Sequence, residues 1–507
     1  MNHVTGNTAG GRGIDTPPRP AQAQPPHFAG NDRVLFGIVL GVLTFWLFAQ
    51  TTLNIAPDMG EELGLAPTTM NIAVAITALF SGIFIVFMGG IADRIGRYRI
   101  LQLGFCLSIA GSLLVALAPA GTLAAPALLA GRALQGLSAA CIMPSSLALI
   151  KTYWQGAARQ RAISIWSIGS WGGSGLCSIF GGVVSAQFGW RAIFFISVAA
   201  AVAGLMMIRG TPETRAESRR DAGIDRLGIL TFMVAMIALQ VVVTQGARFG
   251  WSSLNTLLLA ALAVVFGAVF LRHERRTADP FIDFRLFRSR IYTGATISNF
   301  MLNGVAGTLI VVMQLVQLGG SLTARQAGML TIGFAVTIIA FIRVGEKLLQ
   351  RFGARKPMLW GCVLTGASVI CLGMTHLTLE DYKIAAMIGF ALQGIGLAFY
   401  ATPSTDAALS ALPEQQAGAG AGIYKMASSL GGAFGVAISA AIFTAVRVHP
   451  EGASVLSGLI DFQGSQEQVA VRAAAILALL FNLSMVVVAA ISIMLTIPRA
   501  PARLPRP

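Results

Sequence analysis

The sequence predicts an all-α integral membrane protein of fourteen transmembrane helices: two six-helix bundles plus two inserted helices. Three observations predict it. First, the 507 residues are 55% apolar and only 11% charged, where a soluble domain averages about 25% charged residues, and the mean hydropathy is +0.72. Second, fourteen apolar runs are long enough to approach the ~20 residues that cross a bilayer as a helix. Third, landmarks of the first half return in the second at an offset of 257 to 259 residues. This composition excludes a soluble enzyme, a disordered chain and a DNA-binding domain.

The runs fall at 34–56, 71–91, 100–119, 125–150, 163–186, 192–209, 227–245, 254–272, 292–317, 327–343, 357–376, 384–405, 420–446 and 471–497, spans 1 to 14. They are too long for barrel strands and do not alternate apolar with polar residues. The 57 glycines suit helices that approach closely in lipid. Residues 1–33, rich in Pro, Gly, Gln and Ala, cannot bury a core and read as a disordered cytoplasmic tail. Residues 498–507 form a second short cytoplasmic tail.

Charge sets the orientation. With the N-terminus placed in the cytoplasm, 28 of the 36 Lys and Arg residues fall in inside segments, six fall outside, and Arg132 and Lys425 lie within spans. The net charge of +15 is therefore read as topology, with both termini cytoplasmic, and not as a nucleic-acid footprint. The five cysteines all lie in spans without a C-x-x-C pair, and the five histidines are scattered, so neither a metal site nor a cofactor is expected.

The repeat sets the domain plan. Ala133 to Gly136 and Ala391 to Gly394 both read ALQG, followed by Pro144-Ser145 and Pro403-Ser404. Arg94 and Gly96 match Arg351 and Gly353, and Gly172-Gly173 matches Gly431-Gly432. The offset superposes spans 1–5 on 9–13, pairs span 6 with 14 and leaves 7 and 8 over. Residues 34–210 are thus expected to be one six-helix bundle, 211–290 a two-helix insert with its linkers, and 291–497 the second bundle. Repeated halves with substrate held between them near the bilayer midplane are a plan of secondary transporters.

Several motifs carry chemistry. The loop after span 2 reads GGIADRIGRYR: Gly89 and Gly90 permit close helix approach, and Asp93 stands beside Arg94, Gly96 and Arg97, a cluster able to lock one conformation and release another. A merely solvated basic turn would not need that spacing. The second-half loop, with Arg343, Glu346 and Arg351, has Gln350 where Asp93 would match and reads as a degenerate latch. Arg132, near Gln135 and Gly136, costs at least ~2.5 kcal/mol inside a span and is expected to face a polar cavity or a partner in a functional role; snorkelling to the outer interface is the alternative. Asp406 and Lys425 flank a short loop and could pair. Span 5 carries WGGSGLCSIFGG, whose Gly172, Gly173, Gly181 and Gly182, with Gly136, Gly431 and Gly432, read as helix-packing positions.

The G-x-x-x-D-R-x-G-R spacing resembles the major facilitator superfamily, and the span count resembles its fourteen-helix drug:proton antiporter branch. ITALFSGIFIV from Ile76, WSIGSWGGSG from Trp166, GTPET from Gly210, YATPSTD from Tyr400 and AGIYKMASSLGGAFGVA from Ala421 are similar to the NorB/NorC-type multidrug (quinolone) exporters. The resemblance implies the major facilitator fold and proton-driven export of amphipathic drugs such as fluoroquinolones, tetracyclines and biocides from the bacterial cytoplasmic (inner) membrane. It links the Arg132 position to proton transfer. The branch commonly places an Asp five residues before an Asn in span 1; here Asn54 is kept and Ala49 replaces the Asp. Antiporters also usually show Gly-Pro where this chain has Cys177-Ser178. The resemblance implies that both departures are subfamily traits. Proton coupling is left to Arg132 with Gln135, or to Asp93, Glu346, Asp406 or Lys425. Substrate-cavity candidates are Trp46, Gln50, Asn54, Trp171, Asn299, Asn303, Gln314, Gln393 and Tyr400. The partners are drugs, protons and the lipid bilayer, with no nucleic acid. Export of a natural metabolite, peptide or siderophore is the alternative; a membrane enzyme is remote, because no convergent catalytic cluster is visible.

Overall fold

The computed structural model describes residues 29–216, 225–277, 280, 282–448, 460–464 and 468–499. The tail expected over 1–33 lies outside them as far as residue 28, and the C-terminal tail from residue 500. All regular secondary structure among the described residues is helical. The rods are α1 (Asp32–Leu63), α2 (Pro67–Ile95), α3 (Arg97–Ala116), α4 (Ala124–Tyr153), α5 (156–188), α6 (Trp190–Ile208), α7 (Arg226–Phe249), α8 (Leu254–Glu274), α9 (Arg290–Gly319), α10 (324–352), α11 (Arg355–Leu372), α12 (Leu379–Ser410), α13 (Ala417–Val448) and α14 (Val469–Thr496).

Twelve of the described helices are long and apolar enough to cross a membrane, against the fourteen expected. The two rods that fall short are α5 and α11. α5 is divided into Gly156–Ser167, a π-helical turn Ile168–Gly172, and Gly173–Phe188. α11 is only 18 residues long and opens with Arg355 and Lys356. α1 also carries a π turn, Thr44–Ala49, between Asp32–Leu43 and Gln50–Leu63.

The chain's internal symmetry is visible in backbone and contacts. Gly96 and Gly353 both end a helix at positive φ, +140° and +74°, a conformation that glycine adopts without a Cβ clash. α2 packs on α4 as α10 packs on α12, and α3 on α4 as α11 on α12. Thr77 Oγ1 donates to the Arg132 carbonyl at 3.0 Å, and Thr337 Oγ1 to the Ala391 carbonyl at 2.9 Å. At the opposite ends, Arg191 of α6 donates to the carbonyls of Ala116, the last residue of α3, and Ala118 just past it. Arg472 of α14 likewise reaches Thr375 and Leu377, just past α11. Of these carbonyls Ala116 is one that a helix end leaves unsatisfied, and the other three lie in the loops just beyond.

The seam between the two sets runs along α2–α13 and α5–α10. There a Cβ on Gly422 would lie 2.8 Å from the Ile85 carbonyl, and one on Gly172 2.9 Å from Ile339. α7 touches both α2 and α13, whereas α8 packs chiefly on α7. Only 11% of the most apolar stretch of α8 is buried in the protein, against 83% for α4, so α8 is the peripheral rod and α4 the central one. Asp225 caps α7 by accepting from the Gly228 N–H at 2.8 Å and meets His273 of α8 at 2.9 Å, which ties the two helices at one end. Burial pushes the Asp225 carboxyl up, but the Gly228 N–H and the His273 ring outweigh it and hold it below the ordinary carboxylate value.

Candidate functional site

The face that carries most of the Lys and Arg residues, here the basic face, is closed by contacts between the first six helices and the last six. Asp93, in the last turn of α2, is fully buried. Its Oδ1 accepts from the Gly418 N–H at 2.9 Å and its Oδ2 from the Ala419 N–H at 2.9 Å. Both are among the orphan donors of the α13 N-terminus, where the helix dipole also favours an anion. Arg97, one turn on across Gly96, meets Asp93 Oδ1 at 2.9 to 3.0 Å, donates to Thr152 Oγ1 at 2.7 Å and bonds the Glu414 carbonyl. Gly89 and Gly418 pack carbonyl against Cα, so a Cβ on either would strike the other's backbone oxygen.

Two more cations join this closure. Lys151, at the end of α4, donates to the carbonyls of Leu409, at 2.6 Å, and Leu412, where α12 ends. Arg159 of α5 bonds Asp406 at 3.0 Å and Ser410 at 2.6 Å, and Gln160 adds a contact to Asp406 at 3.3 Å. Sequence reading counted Lys151 and Arg159 only as orientation charges. It also missed Glu213, whose carboxylate accepts from the Tyr98 and Arg99 N–H groups at 2.9 and 3.0 Å and so caps α3 beside the Asp93–Arg97 pair. Its only signal was the GTPET stretch.

The second-half loop bonds within itself. Arg343 pairs with Glu346, Gln350 donates to Glu346 at 3.2 Å, and Arg351 stacks on Phe352 at 5.1 Å. Gly90 is buried, and Arg94 is half-buried.

Arg132 is 1% exposed and does not snorkel. Its Nε donates to the Ala73 carbonyl at 2.9 Å, and its Nη1 to the Ala49 carbonyl at 2.9 Å and to Gln135 Oε1 at 2.7 Å. Gln135 continues to Ser112 at 3.2 Å. Ala49 closes the π turn of α1. The cation therefore rests on backbone carbonyls of α1 and α2, and one belongs to the position where the branch commonly carries Asp.

Lys425 and Asp406 do not pair. Asp406 faces α5 and is held by Arg159. Lys425 sits two turns inside α13, 5% exposed, with its ammonium 4.6 Å above the ring of Trp166 on α5. Trp166 is fully buried and donates its indole N–H to Ser146 at 3.0 Å. A ring face supplies about 2 kcal/mol to a desolvated cation, less than the several kcal/mol that burial of an ammonium costs.

The cavity candidates divide. Asn299 donates to the Tyr424 carbonyl at 2.8 Å and Ser428 at 2.6 Å, Gln393 to Thr308 at 3.0 Å, and Asn303 to Asn299 at 2.7 to 2.9 Å. Tyr400 is fully buried in a hydroxyl chain from Ser298 through Tyr400 and Ser404 to Tyr424, with links of 2.7 to 2.9 Å. These four are engaged inside the last six helices. Trp46, Gln50, Trp171 and Gln314 are half-buried and Asn54 is exposed. Among the described residues, Trp46 Nε1 on α1 and Gln314 Oε1 on α9 are buried without a hydrogen-bond partner, a donor and an acceptor on symmetry-related helices. Of the candidate packing glycines, Gly136 lies against the Thr77 carbonyl, Gly173 against Leu43 and Trp46, Gly181 against Thr51 and Gly431 against the Phe300 carbonyl. A Cβ on Gly432 would lie 3.8 Å from the Asn303 carbonyl, and Gly182 faces open space.

Repeated helical halves, a glycine-lined seam and a carboxylate-to-helix closure across one end define a solute carrier. The chain belongs to the major facilitator superfamily, whose family model matches residues 38–279 and 291–507; it is a multi-pass membrane transporter and not an enzyme. It is similar to the quinolone resistance protein NorB of Staphylococcus aureus strain MRSA252, 48% identical over 419 residues that cover 83% of this chain and 90% of that one. The NorB of strain MW2 matches with the same identity and coverage. Among solved structures, the fold is similar to the proton:xylose symporter XylE bound to 6-bromo-6-deoxy-D-glucose, with TM-score 0.60 and 16% identity, over 92% of this chain and 96% of that one. It is also similar to the human organic anion transporter MFSD10, with TM-score 0.57 and 16% identity, over 91% of this chain and the whole of that one.

Proposed function

We propose that this chain is a multidrug efflux transporter that exchanges cytoplasmic amphipathic drugs, fluoroquinolones, tetracyclines and biocides among them, for protons by alternating access. The observation that carries the reading is the closure of the basic face by Asp93 on the α13 N-terminus. Those bonds join the two halves at one end only, so they exist in one access state and break in the other. The 48% identity to NorB supports the choice of cargo. By the lysine and arginine bias, the basic face is cytoplasmic, both termini lie on that side, the membrane is the bacterial cytoplasmic (inner) membrane, and the state described is closed to the cytoplasm. In this reading α5 and α11 also cross, which makes fourteen spans. Residues 34–210 and 291–497 are the moving bundles and 211–290 the insert. Trp46 and Gln314 offer their unmatched donor and acceptor to drugs between the bundles, and Arg132, with Gln135, carries the coupling.

The test uses everted vesicles energised to an acidic interior and a pH-sensitive dye. Norfloxacin, ethidium, tetracycline and a siderophore are added in turn to wild type and to Arg132→Ala at matched protein level. Collapse of the gradient by several drugs, reduced at least tenfold in the variant, is expected. No response to any drug, or a response to the siderophore alone, refutes drug export.

A further inference from the structure

The membrane interior of this chain holds two cations, Arg132 and Lys425, and they are placed very differently. Arg132 is satisfied by two carbonyls and an amide oxygen. Lys425 has the face of Trp166. Among the described residues no carboxylate pairs with Lys425, and the acids of the neighbouring helices are engaged elsewhere. Asp93 of α2 is held by Arg97 and the α13 N-terminus, and Asp406 of α12 by Arg159. The charged groups of α4, Arg132 and Lys151, are also cationic.

The contact between Lys425 and Trp166 crosses the seam, from α13 to α5. It lies about two turns beneath Gly418 and Ala419, the residues that grip Asp93. Opening the basic face separates α13 from α5. The ammonium then leaves the ring and faces the vestibule with no protein anion to meet it, while the indole presents a free aromatic face beside it. A cation and an aromatic platform exposed together fit an aromatic carboxylate. We propose that Lys425 is the anchor for the carboxylate of anionic or zwitterionic amphipathic substrates, and that Trp166 is its covering ring in the closed state. This rests on the transport reading above and names the substrate group that the site selects.

The test is equilibrium binding to the purified full-length protein, with norfloxacin and its ethyl ester as probes. The two differ in the carboxylate alone. Wild type is expected to bind the acid at least tenfold more tightly than the ester. Lys425→Met is expected to weaken acid binding at least tenfold and to change ester binding less than twofold, the retained ester affinity showing that the variant is folded. Lys425→Arg keeps the cation and is expected to keep the preference; it decides the case if Lys425→Met does not purify. Equal affinity of wild type for the two probes, failure of the acid to bind, equal weakening of both by Lys425→Met, or loss of the preference in Lys425→Arg overturns the assignment. Acid binding that depends on Lys425, with no gradient collapse in vesicles, would instead refute the transport reading and leave the anchor standing.

Discussion

Asp93→Asn tests the closure most directly. The carboxylate accepts one backbone N–H on each oxygen and bonds Arg97 as well. Asparagine keeps one acceptor oxygen and turns an NH₂ group toward the other backbone N–H. One charge-assisted bond is lost outright, worth about 1.5–3 kcal/mol, and buried Arg97 loses its counter-ion. Taking ~3 kcal/mol as the combined loss, and a factor of ten per 1.4 kcal/mol, the closed state falls about 100-fold relative to the open one. The assay is a distance distribution between spin labels at Ala157→Cys and Gln415→Cys, exposed positions on either side of the closure, in a background freed of the five native cysteines. Wild type should give a dominant short distance, and Asp93→Asn a dominant long one. An unchanged distribution in a folded, monodisperse variant would refute the claim that Asp93 holds the face shut.

Two further predictions follow from the packing. Gly418→Ala places a Cβ 2.8 Å from Asp93 Oδ1 and against the Gly89 carbonyl, so the same label pair should shift toward the long distance, whereas Gly182→Ala, which meets nothing within 4 Å, should leave it unchanged; identical behaviour of the two would contradict the packing described. Arg191→Ala and Arg472→Ala each remove bonds to two carbonyls at or just past a helix end, along with the Glu62 pair of Arg191 and the Gln463 carbonyl bond of Arg472, at a cost of about 2 kcal/mol. Thermal unfolding should show both melting temperatures lowered by similar amounts, and a change in only one would argue against their equivalence.

Apolar runs and the 257-residue repeat made most of the helical layout legible in advance, because a bilayer leaves a spanning backbone little choice but helix. What escaped was set by contacts between distant residues. The Arg191–Arg472 equivalence was hidden because the loop before α14 is longer than its counterpart before α6, which moves the offset from 257 to 281. Asp406 was read as able to pair with the nearby Lys425, yet its partner Arg159 lies 247 residues away across the seam. The roles of α7 and α8 were invisible to hydropathy, which scores both as spans; packing separates them, since only α7 reaches α2 and α13. Asn299, Gln393 and Tyr400 are polar residues in membrane helices and so read as cavity lining. Hydrogen bonding inside one bundle satisfies them equally well, and periodicity does not tell the two environments apart.

The Ala49 carbonyl that receives Arg132 has a consequence for the pump's response to acidity. A carboxylate in that place would be a variable: it takes up a proton, drops its charge and loosens its grip on the arginine. A peptide oxygen is a constant. It neither gains nor loses a proton in any physiological range, so the Arg132–α1 contact holds with the same strength on either side of a pH gradient. The proton must then register at a group other than position 49, where α1 meets Arg132 as a fixed strut.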